Sequence, residues 1–269
     1  MLPSAVPLQT SEALVLDVMD LHDRDRIVTF LTREWGKKKG VASGARSRHS
    51  RFGGQLQPLA KAQVTWFEKD GRDLVRISSV ELVRTAHPLQ KDLEGILLGS
   101  YLADHMLEFA QENEGSDHLF RLLDSTLQAL LSGVDRDVAA RYFEAWVLRL
   151  AGIFPPPTAC PSCGRPFADG DDGEAVLPPN GETLLCFDCG GRSGLIVWPA
   201  TLAFLRRIGR EGLPEVAASL PPAVVLRQVE ELCARVRRSF LQHELRSYDV
   251  MRRTLAGLDR VESEGPARR

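Results

Sequence analysis

Residues 25–44 read DRIVTFLTREWGKKKGVASG. Ile27–Thr32 is rich in the β-branched and aromatic residues that favour strands, and a charged turn at 23–26 precedes it. Gly36–Gly44 is a second extended segment bounded by glycines. The stretch therefore predicts two neighbouring strands, the second of which carries three consecutive lysines.

Three more segments continue this pattern on either side. Ala13–Met19 comes before the charged turn, and Leu59–Glu68 and Leu74–Leu82 come after the lysines. The last two are joined by Lys-Asp-Gly-Arg at 69–72, which is a hairpin signal. Five short strands without a sustained helical period predict a small closed β-barrel.

The pattern changes to helices after His87-Pro88, so we place a domain boundary there. Apolar residues recur at helical spacing from this point onward. The predicted helices cover 90–112, then Ser116 as N-cap to Leu131, Asp135 to about Gly152, one that begins at Pro199, and a long one from about Pro222 to Leu258, before a frayed tail at 262–269. The predicted domains are a barrel at 1–86, a helical domain in two parts at 87–158 and 199–269, and an insertion at 159–198.

The insertion contains two cysteine pairs with the spacing of a metal site. Cys160 and Cys163 lie in Cys-Pro-Ser-Cys-Gly, and Cys186 and Cys189 lie in Cys-Phe-Asp-Cys-Gly. A glycine after each pair allows a tight turn that aims two thiolates at one point. With 22 residues between the pairs, including an exposed acidic loop at 169–173, the pattern predicts one structural Zn²⁺ bound by four cysteines.

Other interpretations of the cysteines are weaker. A thioredoxin-like redox motif needs one pair near a strand-helix-strand pattern, and a disulfide framework is typical of short secreted chains. A catalytic zinc keeps one coordination position open, whereas here cysteine fills all four. Cys233 stands apart, within an apolar stripe at helical spacing, and is expected to be a buried free thiol.

Length and composition indicate a globular protein with room for two domains. The chain has 269 residues, of which 43% are hydrophobic and 26% charged. Its apolar runs are shorter than a membrane span, and its N-terminus lacks a secretory pattern. We expect a cytoplasmic protein, in which thiols stay reduced and available to a metal.

The formal net charge of −2 hides an uneven distribution along the chain. Residues 1–86 carry 14 Lys and Arg against 10 Asp and Glu, whereas residues 87–159 carry 5 against 11. Residues 160–199 are also acidic, with 2 against 6, and residues 200–269 are basic, with 13 against 9. Basic ends around an acidic middle are compatible with a nucleic-acid-binding protein.

The strongest basic cluster surrounds the lysine-bearing strand. Such clusters contact phosphates without reading sequence, although an ordinary solvated surface is an equally open interpretation of the charge alone. The seven candidate DNA-binding residues are Arg33, Lys37, Lys38, Lys39, Arg46, Arg48 and Arg51.

Tryptophans near this cluster could stack on bases, as aromatic residues do in barrels that bind single strands. For Trp35 stacking and core packing are equally open, whereas for Trp66, in the middle of a strand, core packing is favoured. The sequence contains no Walker A loop, dinucleotide-binding glycine fingerprint or nucleophile elbow, so we do not expect an enzyme.

Residues 25–37, 40–46 and 50–58, followed by a helical region with two cysteine pairs, resemble the RecO family of bacterial recombination mediators. The resemblance covers nearly the whole chain. It implies an α+β multidomain protein with an N-terminal five-stranded OB-fold β-barrel, an all-α helical domain and an inserted zinc-binding motif of four cysteines.

The resemblance also implies a function in DNA repair. A RecO-like protein would bind single- and double-stranded DNA, anneal complementary strands, and work with RecR to load RecA onto DNA coated by single-strand binding protein. It would contact the C-terminal tail of that protein through the helical domain, where an arginine-rich segment around residues 235–246 is a candidate. The alternative is a zinc-ribbon OB-fold adaptor that binds protein or RNA, with an incidental basic segment.

Overall fold

The structure, a computed structural model, describes residues 8–68, 73–167 and 173–263, with backbone alone for 258–263. The predicted hairpin turn at 69–72, nearly all of the predicted loop at 169–173 and most of the predicted frayed tail lie outside these residues. The chain divides into two compact units, Met1–Leu127 with Val250–Arg269, and Gln128–Asp249.

The first unit contains the predicted five-stranded barrel. Its strands are β1 Leu8–Leu21, β2 Asp25–Thr32, β3 Gly36–Ala42, β4 Lys61–Phe67 and β5 Val75–Arg84. They close in the order β1-β2-β3-β5-β4, with β1 and β4 paired antiparallel and β3 and β5 paired parallel. This small closed barrel confirms the predicted OB-fold.

The barrel interior is filled by alternate residues of the strands. Trp66 is fully buried and meets Phe30 edge to face, with ring centroids 5.6 Å apart. Smaller side chains such as Ala13, Ala42 and Ala62 surround the two rings, so large and small residues interdigitate. The preference for Trp66 as a core residue is confirmed.

Helix α1 and most of helix α2 follow the barrel in the first unit, after a 3₁₀ turn at His87–Lys91. Helix α1 spans Leu93–Phe109 and is capped by Asp92, whose carboxylate accepts from the amide of Gly95 at 2.8 Å. Helix α2, Asp117–Leu131, faces the barrel through Asp124, which accepts from Lys61 at 3.1 Å and from Arg84 at 2.6 Å. Asp124 therefore attaches α2 to β4 and β5 by ion pairs.

The connection between α1 and α2 packs closely on the start of β3. The amide of Lys37 donates to the carbonyl of Gln111 at 2.9 Å, and Glu112 forms β-bridges with Gly36 and Lys37. Gly36 has a φ of +62°, and a Cβ atom there would overlap the carbonyl oxygen of Glu114. Glycine is required at this position by both its backbone conformation and the close approach.

The second unit is mainly helical and contains a small two-stranded sheet. Helix α3 begins after Asp135, as predicted, because its carboxylate accepts from the amide of Val138 at 3.0 Å. Helix α5 begins at Pro199, also as predicted. The elements are α3 Arg136–Leu150, β6 Ala175–Leu177, α4 Phe187–Gly190, β7 Leu195–Val197, α5 Pro199–Ile208, α6 Leu213–Ala217 and α7 Ala223–Leu241. Helix α8, Arg246–Ser263, begins in this unit, and its residues from Val250 onward belong to the first unit.

The prediction of one long C-terminal helix from Pro222 to Leu258 is wrong. Helix α7 ends at Leu241, and Gln242 follows in the left-handed conformation with a φ of +62°. The break lets Glu244 turn back to α7 and accept from Arg237 at 2.5 Å and Arg238 at 2.8 Å. Burial alone would raise the pKa of Glu244, but the two arginines hold it below its usual value.

None of the described helices combines the length and apolar character needed to cross a membrane.

The docking of 111–115 on β3 predicts that Gly36→Ala destabilises the protein more than Gly44→Ala. Both glycines have positive φ, so each substitution places a side chain in the left-handed region at about 1–2 kcal/mol. Gly44 has open space around it, whereas at Gly36 the added methyl group also displaces backbone. Urea unfolding should show a clearly larger loss for Gly36→Ala. Equal losses would show that the close approach contributes nothing to stability.

Candidate nucleic-acid interface and metal centre

The three consecutive lysines of strand β3 lie on opposite sides of the strand. Burial alternates along the strand, with Gly36, Lys38 and Gly40 buried and Lys37 and Lys39 half-buried. This is the period of a β-strand, whose successive side chains point to opposite faces. Lys38 therefore lies on the inner side of the barrel wall, and Lys37 and Lys39 lie on the outer side.

The ammonium of Lys38 is bound at one end of the barrel. It donates to Glu68 at 2.8 Å and to Asn113 at 2.6 Å, and its side chain is 3% exposed. It also lies over the indole ring of Trp35, 5.7 Å from the ring centroid. A buried charge is tolerated when it is paired and hydrogen-bonded in this way, and little of it is left for a phosphate to contact.

Two more of the seven predicted residues contact the helical part of the first unit. The ammonium of Lys37 donates to the carbonyl of Leu107 in α1 at 2.5 Å. The guanidinium of Arg33 pairs with Asp117 at 3.3 Å and lies 5.2 Å from the ring centroid of Phe120. Both residues remain partly accessible, but their cationic groups contribute to attaching α1 and α2 to the barrel.

The other four predicted residues face solvent. Lys39 is half-buried. Arg46, Arg48 and Arg51 are exposed in the loop between β3 and β4. Within residues 8–68, 73–167 and 173–257, Lys39 and Arg48 have neither a hydrogen bond nor an ion pair through their side chains. These cationic groups are available to an anion.

The turn before β2 joins the same end of the barrel as the β3–β4 loop. The amide of Arg46 donates to the carbonyl of Arg24 at 3.0 Å, and that of Gly44 donates to the carboxylate of Asp25 at 2.8 Å. The guanidinium of Arg46 donates to the carbonyl of His22 at 2.8 Å and pairs with Asp20 at 3.4 Å. The contacts bring the exposed Arg24 beside the loop, although Asp20 partly neutralises Arg46.

A second exposed arginine lies next to Lys39. Arg76 of β5 pairs in register with Val41 of β3, two residues along the same outer face from Lys39. Arg51 reaches the same strand, with its guanidinium 3.5 Å from the carbonyl oxygen of Ile77 and 4.9 Å from the ring centroid of Phe52. Arg51 of the loop and Arg76 of β5 thus lie close to the strand that carries Lys39.

We call this set the cationic barrel surface. It consists of Arg24, Lys39, Arg46, Arg48, Arg51 and Arg76. Arg24 and Arg76 were not among the predicted residues. Arg24 lies in a turn whose positive and negative charges balance, and Arg76 lies in a strand 25 residues after Arg51. Only the order of the strands shows that they are neighbours of the loop and of β3. That any of these residues binds DNA stays a prediction.

The four cysteines of the insertion converge on one point. All their sulfur atoms lie within 4.8 Å of one another, and the sulfurs of Cys163 and Cys186 are 3.6 Å apart. Zinc–sulfur bonds of about 2.3 Å in a tetrahedron place the sulfurs about 3.8 Å from each other. The cluster can therefore hold one metal ion with four thiolate ligands.

Local backbone turns explain this convergence. The amide of Gly164 donates to the carbonyl of Cys160 at 2.8 Å, and the amide of Gly190 donates to the carbonyl of Cys186 at 2.8 Å. The same turn geometry thus occurs in both pairs. A Cβ atom at Gly190 would lie 2.6 Å from Val176, so the second turn also packs closely on β6.

The thiols of the cluster differ in acidity. Burial opposes ionisation of Cys160, but hydrogen bonds from the backbone amides of Cys186, Cys163 and Ser162 outweigh burial and lower its pKa to about 6. Ser162 also favours the thiolate of Cys189, yet hydrogen bonds with Cys163 and Cys186 raise its pKa to about 12. Thiolates this close together repel one another, so a bound cation would favour the ionised form of the cluster.

Cys233 is fully buried and lies outside this cluster. Burial is the main cause that raises the pKa of its thiol, with a smaller contribution from Glu144. The prediction of a buried free thiol is confirmed.

The arginines around residues 235–246 are partly committed to contacts inside the second unit. Arg237 is fully buried against Glu244 and lies 4.7 Å from the ring centroid of Tyr248. Arg235 pairs with Glu231 at 2.7 Å, and Arg246 is exposed at the start of α8. Arg237 therefore stabilises the helix break and offers no surface to a partner.

Comparison with known proteins covers both units. The family description "Recombination protein O N terminal" matches residues 7–86, and "Recombination protein O C terminal" matches residues 90–249. A DNA repair protein RecO of Anaeromyxobacter dehalogenans is 36% identical over 240 residues, which cover 86% of this chain and 89% of the relative. The RecO of Myxococcus xanthus is 33% identical over 260 residues, covering 92% of this chain and 98% of the relative.

The metal centre predicts that Cys186→Ser loses bound zinc and stability together. Removing one ligand from a closed site weakens metal binding, and metal binding is coupled to folding. Cys233→Ala is the matched control, because it removes a buried thiol outside the cluster and should keep one zinc per chain.

The measurements are zinc content by atomic emission and thermal unfolding with and without a chelator. The chelator should lower the unfolding temperature of the wild type and of Cys233→Ala, and have little effect on Cys186→Ser. Full zinc content and unchanged stability in Cys186→Ser would contradict a structural role for this cluster.

Proposed function

The chain belongs to the RecO family of DNA repair and recombination proteins, and from this membership we propose that it is a recombination mediator that binds DNA through the cationic barrel surface. The observation that carries the proposal is the presence of solvent-facing cations on an OB-fold barrel, next to lysines that are committed internally. OB-folds bind oligonucleotides on the face of strands 2 and 3 and on adjoining loops.

The chemistry of this surface suits binding that is independent of base sequence. Lysine and arginine contact phosphates, displace counterions and lose affinity as salt rises. Phosphate contacts carry no direct sequence information, so arbitrary complementary strands can be held alike. Neutralising two phosphate backbones on one surface also reduces their mutual repulsion, and this supports the proposal that the protein anneals complementary single strands.

The mediator role requires partners, for which the family membership is the support. We propose that the protein works with RecR to load RecA onto DNA coated by single-strand binding protein, in the RecF pathway. The C-terminal tail of single-strand binding protein would be held by the helical domain. Arg246 and Arg238 are the exposed cations of the candidate segment, since Arg237 is buried.

We further propose that the metal is a single Zn²⁺ held by Cys160, Cys163, Cys186 and Cys189, where it braces the insertion without a catalytic role. Four thiolates fit zinc and leave no open coordination position. A function on chromosomal DNA and a thiolate site that needs reduced cysteines support a cytoplasmic location.

The two sides of β3 predict different effects for neighbouring lysines. Lys39→Gln should lower affinity for DNA and reduce the slope of log affinity against log salt by about 0.7 on single strands, because one phosphate contact is lost. Lys38→Gln should leave that slope unchanged and lower the free energy of unfolding by about 1–3 kcal/mol, because Glu68 and Asn113 lose their buried partner.

Fluorescence anisotropy with labelled single strands over a range of salt, and urea unfolding, measure the two effects. Lys91→Gln is the control for charge, because it removes an exposed lysine from the 3₁₀ turn outside the cationic barrel surface. A reduced slope for Lys38→Gln with unchanged stability would contradict the assignment of the two sides.

The mediator function itself is tested by annealing. Complementary strands are coated with single-strand binding protein and mixed with the wild type, with and without RecR, and duplex formation is followed by loss of fluorescence of a quenched label. Annealing should be accelerated, and less so by a protein in which Lys39, Arg48 and Arg76 are all changed to glutamine. No acceleration by the wild type under any salt condition would refute the proposal.

A further inference from the structure

Trp35 is an exposed aromatic residue of the barrel that does not belong to the cationic barrel surface. Its side chain is 36% exposed at the turn between β2 and β3, whereas Trp66 of the same barrel is fully buried. Scattered exposed apolar residues are ordinary on protein surfaces. The way in which the indole is held distinguishes Trp35 from them.

The backbone of the turn is held by Thr32. The hydroxyl of Thr32 accepts from the amide of Trp35 at 3.0 Å and donates to the carbonyl of Gly36 at 3.0 Å. On the outer side of the turn, a Cβ atom at Gly115 would lie 2.6 Å from the carbonyl oxygen of Glu34, so the connection between α1 and α2 packs against it. The backbone of the turn, from which the Trp35 side chain projects, is therefore held from both sides.

The ring itself is held by a cation. The ammonium of Lys38 lies 5.7 Å from the indole centroid and is fixed by Glu68 and Asn113. A cation over an aromatic face is attracted to the ring quadrupole. The ammonium lies over the indole, and 36% of Trp35 remains exposed and accessible to a ligand.

The position of the ring relates it to the phosphate contacts. Trp35 lies in the turn immediately before β3, four residues before the accessible Lys39, and its ring meets the ammonium of Lys38. An exposed aromatic ring on a barrel that also carries accessible cations is the combination that proteins use for single strands, with stacking for bases and cations for the backbone.

We propose that Trp35 stacks on an unpaired DNA base, with Lys38 as the positioning residue that holds the indole, and that this contact makes the barrel favour single strands over duplex. Bases in a duplex are already stacked on each other and are not offered to a side chain. The inference rests on the proposed DNA-binding function and adds to it a residue that distinguishes the two forms of DNA.

The experiment compares Trp35→Leu with the wild type on three labelled probes: an oligothymidylate, an abasic oligomer of the same length, and a duplex. On the oligothymidylate, Trp35→Leu should bind about tenfold more weakly, as expected for the loss of one stacked base. On the abasic oligomer and the duplex the two proteins should bind alike. The salt slope should stay the same on every probe, because no phosphate contact is removed.

Two variants serve as controls. Trp35→Phe keeps a ring over the ammonium and should retain most of the affinity for the oligothymidylate, which separates stacking from a general effect on folding. Trp198→Leu removes the other exposed tryptophan, which is 39% exposed in the second unit, and should bind all three probes as the wild type does.

The outcomes separate the inference from the function on which it rests. If the wild type binds none of the probes at low salt, the proposed DNA-binding function fails. If the wild type binds and Trp35→Leu keeps its affinity for the oligothymidylate, or loses affinity equally on the abasic oligomer, stacking by Trp35 is refuted. An equal selective loss in Trp198→Leu would also refute it.

Discussion

The buried ammonium of Lys38 is the constraint on which the arrangement of the first unit depends. A charge inside the end of a barrel is stable only with partners, and here they are Glu68 from the end of β4 and Asn113 from the connection between α1 and α2. One side chain thus ties the barrel to the helical segment that follows it. Because side chains alternate along β3, placing Lys38 inside also directs Lys37 and Lys39 outward.

Ion pairs between the barrel and the helices that follow it bring together segments of opposite net charge. The basic excess of the barrel and the acidic excess after it do not appear as two separate surfaces, because they partly neutralise each other in the fold. Asp124 binds Lys61 and Arg84, and Asp117 binds Arg33. The cations of the cationic barrel surface remain accessible, in the turn before β2, farther along β3, in the β3–β4 loop and on β5. Counting charges in a segment therefore overestimates the charge that a polynucleotide would meet.

The candidate metal site differs from the barrel because its geometry is set mainly by residues close in the sequence. Each cysteine pair is folded by its own turn, and a glycine completes that turn at residue 164 or 190. The two turns then meet beside the short sheet of β6 and β7, which supplies the packing for Gly190. Four thiolates this close together repel one another, so a bound cation would stabilise their ionised form and, with it, the fold of the insertion.

The sequence by itself determined the five strands, the helical character of the second half, the cap at Asp135 and the four cysteines of the candidate metal site. These features arise from alternation, capping and ligand spacing, which are interactions between residues close in the chain. Tertiary structure decided which lysines face solvent, that Arg24 and Arg76 join the loop arginines, and that the C-terminal helix breaks at Gln242. Each of these depends on contacts between distant residues, such as Lys38 with Asn113 or β3 with β5, and a linear pattern carries no record of which distant groups will meet.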